Sequence, residues 1–194
     1  MSHVEDFFDA CAAICGAIDT FKVGELAEEL AALRDRAGRL FIIGVGGSAA
    51  NCSHAVNDFR KLCDIEAYTP ADNVAELTAR ANDEGLDTVF AAWLETSRLD
   101  ANDAILVLSV GGGDIERNIS VNIVKAVDLA KVRAARVFGI VGKDSGHTAR
   151  HGDVVVVIPD VHPAWVTPLS EAFQAVVWHC IVSHPRLQCR PTAW

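Results

Sequence analysis

Twice in this chain a short apolar run ends in glycines that lead directly into a helical pattern. Residues 39–44 (RLFIIG) pass into GVGGS, residues 44–48, and residues 104–109 (AILVLS) pass into VGGGD, residues 110–114. Residues 135–141 and 153–158 are further apolar runs of strand length. Runs without polar alternation describe strands buried on both faces, so helices must cover both sides of their sheet. Strands alternating with helices through right-handed crossovers give an α/β fold, a three-layer αβα sandwich with a mainly parallel sheet. Ligands bind such sheets beyond the carboxyl ends of the strands, where both glycine runs fall.

The rest of the chain fits this frame. Phe7, Phe8, Cys11, Ile14, Cys15 and Ile18 recur at helical spacing and predict a helix over residues 4–18. A second helix is expected over 23–37, stopped by Gly38. Further helices are expected over 49–62, 71–80, 88–94, 115–134 and 168–182, with a short strand at 65–68. The 194 residues form one domain, with a tail over 186–194. The helices of residues 1–38 carry apolar stripes that one small sheet does not cover, so they are expected to pack against partner chains in a homotetramer or dimer.

Charge and cysteine usage narrow the function. The formal net charge of −9 argues against nucleic acid or an anionic membrane surface as the partner. The longest apolar run, residues 154–159, is strand-sized and far short of a membrane span. The first residues carry Glu5, Asp6 and Asp9 where a secretion signal carries basic charge. Six scattered cysteines without paired spacing read as reduced thiols, so a cytoplasmic location is expected.

Three groups of residues can carry chemistry. The two glycine turns present backbone N–H groups at helix starts, an arrangement that cradles anions, with Ser48 and Ser109 adding hydroxyls. Either could equally be a plain tight turn. Neither has the GxGxxG spacing of a dinucleotide site nor the GK[ST] of a P-loop, so no nucleotide cofactor is expected. His54 and Asp58 stand at i and i+4 and share a helix face, where they could bind a metal, move protons or merely pair at the surface. Glu171 opens the last helix and His179 follows eight residues later, about 12 Å along. One metal is gripped by both more comfortably if two subunits contribute one each.

These pieces, in this order, resemble the sugar isomerase (SIS) domain and within it the phosphoheptose isomerase group. Residues 44–48 match its G-x-G-G-S loop, and residues 72–85 (DNVAELTARANDEG) match its D-N-x-x-x-L-T-A-x-x-N-D-x-G segment. His54 and Asp58 fall where the group has a His and then an acidic residue, and Glu171 and His179 fall where it has Gln and His. The resemblance implies an aldose–ketose isomerase that converts sedoheptulose 7-phosphate to D-glycero-D-manno-heptose 7-phosphate through an enediol. It implies Asp58, Glu171 and His179 as catalytic residues. It implies Gly46, Gly47, Ser48, Asn82, Asp83, Ser109, Gly111, Gly112 and Gly113 as sugar-phosphate contacts. It also implies one zinc ion per site among His54, Asp58, Glu171 and His179, with sites formed between the subunits of a tetramer.

The chain departs from the group in three places. Its second loop reads Ser109-Val110-Gly111-Gly112-Gly113-Asp114 where S-T-S-G-N-S is usual, so hydroxyl donors are lost and a carboxylate is gained. Asp58 is one methylene shorter than the usual Glu, and Glu171 adds a negative charge where Gln is usual. The altered loop leaves two other readings open: a non-catalytic sugar-phosphate-binding or assembly protein, and an isomerase of a different sugar.

Overall fold

A computed structural model describes residues 2–192, so Met1 and the last two residues of the predicted tail lie outside the described residues. The strands are β1 (Leu40–Ile43), β2 (Ala67–Tyr68), β3 (Ala104–Ser109), β4 (Arg136–Val141) and β5 (Val154–Val157). They form one five-stranded sheet in the order β2-β1-β3-β4-β5, with every pairing parallel. β1 and β3 are buried at every position, as their unbroken apolar runs require.

Alternate strand residues feed two cores. Leu40, Ile42, Leu106, Leu108, Phe138 and Ile140 face one, and Phe41, Ile43, Ile105, Val107 and Val137 face the other. The first core is covered by α1 (His3–Ala17), α2 (Thr20–Asp35), α3 (Gly47–Cys63) and α8 (Val166–Val182). The second is covered by α5 (Val89–Thr96) and α6 (Val121–Val132), with Leu77 of α4 (Val74–Asp83) packed against it. The fifteen-residue α1 begins with a capping box between Ser2 and Glu5. No helix of the described residues is long and apolar enough to cross a membrane.

Three expectations about local structure are corrected. The helix predicted over 71–80 is split: Pro70–Asp72 is a single 3-10 turn, and Asn73 caps α4 by accepting the Glu76 N–H. An Asn side chain that can satisfy a backbone donor favours a new helix start over continuation. The helix predicted over 115–134 starts only at Val121. Asp114 and Ile119 exchange backbone hydrogen bonds instead, and Asn118 and Ser120 take left-handed conformations. A short helix, α7 (His147–His151), stands where a loop is the default reading of His147 and His151.

The pairing brings the glycine turns together. β1 and β3 are adjacent, with Ile43 opposite Val107, so the turns after them emerge side by side. From this pair the chain winds outward in opposite directions, to β2 on one side and to β4 and β5 on the other. That is the switch point at which open α/β sheets bind ligands.

Candidate active site

The first turn, residues 44–48, is shaped by two close approaches. Gly44 lies against the Leu108 carbonyl, where a side chain would not fit. Gly46 caps α3 with φ +64 and ψ −128, a conformation that suits only glycine. Val45, Gly46 and Gly47 are exposed, whereas Ser48 is buried and its hydroxyl accepts a hydrogen bond from Gln174 Nε2 at 3.1 Å. The Asn51 side chain amide donates to Gln174 Oε1 at 2.9 Å and to the Glu171 carbonyl at 3.0 Å. α3 and α8 thus run side by side in one direction, joined by a buried polar ladder. The ladder sets the Glu171 carboxylate directly over Gly47: a Cβ built there would lie 2.5 Å from Glu171 Oε2.

The second turn is held from the opposite side. Ser109 Oγ accepts the Gly112 N–H at 3.0 Å. Thr148, fully buried at the start of α7, donates both its hydroxyl and its N–H to the Gly112 carbonyl, and the His147 N–H reaches the Gly113 carbonyl. With these carbonyls turned toward α7, the loop keeps a defined shape without the hydroxyls it has lost. Asp114 is engaged by the Arg117 N–H at 3.0 Å.

Two to three helical turns below the first loop, three predicted residues converge. His54 Nε2 lies 3.5 Å and His179 Nε2 lies 3.4 Å from Asp58 Oδ2. The two imidazole rings are 5.2 Å apart, centre to centre. The apolar sequence around His179 suggests a core residue, yet its side chain is 50% exposed, because α8 turns its polar edge to solvent at this position. Asp58 is nearly buried, and the cluster opens into a hollow of about 700 Å³ lined also by Leu62, Val182, Ser183, Gln188 and Thr192. Within one chain Glu171 does not join these three; it stays with Gly47. Asn82 and Asp83 stand exposed at the end of α4, bonded to each other.

The donor set suits a divalent metal. One atom from each of His54, Asp58 and His179 lies within 4.8 Å of the others. Metal–ligand bonds of about 2.0–2.1 Å in a tetrahedron put neighbouring ligands about 3.3 Å apart, close to the 3.5 and 3.4 Å between Asp58 Oδ2 and the two Nε2 atoms. The same arrangement also serves proton transfer, since a carboxylate between two imidazoles can exchange protons with either.

Several residues of the site are silent in the sequence. The indole of Trp178 donates to Asp58 Oδ2 at 3.1 Å, and Asn57 Nδ2 donates to Oδ1 at 3.0 Å. Gln174, Asn51 and Thr148 shape the two loops. Trp178 and Gln174 sit in an apolar helix pattern, and their partners are more than 100 residues away, so no local spacing announces them.

A parallel sheet in this order, with glycine turns at its switch point and a histidine–carboxylate cluster on the flanking helices, defines an open α/β domain of the ligand-binding type. Solved structures share that architecture. The phosphoheptose isomerase of Neisseria gonorrhoeae superposes with a TM-score of 0.78 over 93% of both chains, at 23% identity. That of Francisella tularensis gives 0.77 over 94% of this chain and 97% of its own, at 18% identity. No family model matches the chain. Among curated relatives, the phosphoheptose isomerase of Trichlorobacter lovleyi is 30% identical over 145 residues, 72% of this chain and 70% of that protein. The lincomycin biosynthesis protein LmbN of Streptomyces lincolnensis is 31% identical over 154 residues, 76% of this chain, but the match spans only 56% of LmbN. The chain belongs to the phosphoheptose isomerase family.

Proposed function

We propose that this protein isomerises sedoheptulose 7-phosphate to D-glycero-D-manno-heptose 7-phosphate. The observation that carries the reading is the His54–Asp58–His179 cluster, set on the fold that phosphoheptose isomerases share. The reaction removes a proton from C1 of the ketose, and that electron pair becomes the C1–C2 double bond as O2 takes up a proton. The enediol then returns a proton to C2 while O1 gives up its own, leaving the aldehyde at C1. Asp58 or Glu171 acts as the carbon base, and His179 shuttles the proton between the oxygens. The glycine turns, with Ser48, Ser109, Asn82 and Asp83, hold the sugar phosphate. Zinc bound by His54, Asp58 and His179 would polarise the carbonyl and so acidify C1.

Glu171 lies beside Gly47 and not with the histidines, so we place the complete site at a subunit boundary, where a second copy supplies the distant part. A shallow apolar groove between α2 and α8, at which Val176 is exposed and Ile18 and Val23 are half-buried, offers one face for that contact. Light scattering at micromolar concentration tests this, and a monomeric mass would refute it.

The deciding assay is turnover of sedoheptulose 7-phosphate, measured before and after chelation and zinc restoration. Conversion that is lost in Asp58→Asn, Glu171→Gln and His179→Asn is expected. Full activity in all three would remove the assignment. The burial of Ser48 and the hydroxyl-poor second loop favour one other reading, an isomerase of a different sugar; turnover of another ketose phosphate with none of the heptulose would establish it.

A further inference from the structure

Asp58 is held more firmly than the residues around it. His54 and His179 are 56% and 50% exposed at their side chains. Asp58 has donors on both oxygens, Asn57 on Oδ1 and Trp178 on Oδ2. Trp178 is only 1% exposed and touches every member of the cluster. Its ring stands edge-on to His54 at 5.4 Å and lies 5.0 Å from the ring of His179. A buried indole N–H can only donate, and leaving it without an acceptor is costly, so it binds the carboxylate persistently.

We infer that Trp178 is a positioning residue for the cluster: its indole N–H fixes Oδ2 of the short Asp58 side chain so that this oxygen faces both imidazoles. The inference rests on the reading of the cluster as a metal and proton-transfer site. Oδ2 accepts from the indole at 3.1 Å and at the same time lies 3.5 Å from His54 Nε2 and 3.4 Å from His179 Nε2. The carboxylate therefore offers a single ordered oxygen and cannot swing away from the histidines. Groups that orient a ligating side chain through a hydrogen bond change metal affinity by about 10–100-fold when removed.

The test is zinc affinity of the full chain, measured by competition with a chromophoric chelator for wild type, Trp178→Phe and Asp58→Asn. Phenylalanine keeps an aromatic ring in the core but removes the donor. The expected result is zinc binding to wild type, a loss of about 10–100-fold in Trp178→Phe, and a larger loss in Asp58→Asn. Equal affinity in wild type and Trp178→Phe would overturn this inference and leave the metal reading standing. No zinc binding to wild type would overturn both. The indole N–H resonances of wild type give a readout that does not depend on how Trp178→Phe folds. One of the four tryptophan signals should move when zinc is added, and the same signal should be displaced in Asp58→Asn. A zinc titration that binds yet leaves all four unmoved would overturn the inference.

Discussion

Replacing Gly47 with alanine separates the position of Glu171 from the stability of the fold. A methyl group at Gly47 would lie 2.5 Å from Oε2 and 2.6 Å from Cδ of Glu171, and ordinary contact begins near 3.4 Å. The carboxylate must therefore retreat by about 0.9 Å. It is the far end of a flexible side chain, so the retreat costs little energy. Gly47 is the first residue of α3, and alanine there loses less backbone entropy on folding, a gain of roughly 0.4–1 kcal/mol. For a chain of this size that is a rise in Tm of a few degrees at most. A reacting group displaced by about 1 Å can lose about 100-fold in rate. If Glu171 acts on the substrate from this position, Gly47→Ala should lower kcat by about 10–100-fold while Tm holds or rises. Turnover of sedoheptulose 7-phosphate and a thermal melt on the same preparation measure both. Wild-type kcat with an unchanged melt would show that the placement of Glu171 over Gly47 is not part of catalysis.

Three further outcomes follow from the geometry. Gly146→Ala would drive a methyl group onto the Gly111 carbonyl, and since backbone cannot yield as a side chain does, KM for the sugar phosphate should rise and stability should fall by about 1–3 kcal/mol, read by steady-state kinetics and urea melts. Asp103 accepts from the Arg39 N–H, the Arg39 guanidinium and the Asp100 N–H at the end of the sheet opposite the turns; Asp103→Ala should cost about 3 kcal/mol in a urea melt and leave kcat unchanged. Burial pushes the Cys63 thiol up to about 12 and Cys52 higher still, so a thiol reagent at pH 8 should label the exposed Cys15 and Cys180 and spare Cys52 and Cys63 until denaturant is added. The same shift has a stability consequence. Unfolded thiols ionise near 9 while Cys63 stays neutral to about 12, so its contribution is intact below pH 9 and is lost between those values, visible as a falling urea midpoint.

The class of fold is legible because it is written in local patterns. The apolar runs of β1, β3, β4 and β5 and the glycines after two of them are contiguous in the chain, and both the parallel sheet and its ligand-binding edge follow from them. His54 and Asp58 could be paired by helical spacing alone. The boundaries that were misjudged are those decided by competing hydrogen bonds: Asn73 restarting a helix, and Asp114 and Ile119 closing a turn where a longer helix was expected.

What the sequence by itself determined is thus the set of candidate groups and the layer each belongs to, because strand burial and helical periodicity act over a few residues. Only the tertiary structure decided which groups meet. His179 could be read as a core residue until the packing of α8 beside α3 exposed it next to Asp58. Glu171, on the same helix, was carried to Gly47 instead, because eight residues of helix cannot fold back on themselves. The partnership of Trp178 with Asp58 depends on two helices 120 residues apart in the chain lying parallel over one sheet, and helix packing is set by the summed shape of many side chains.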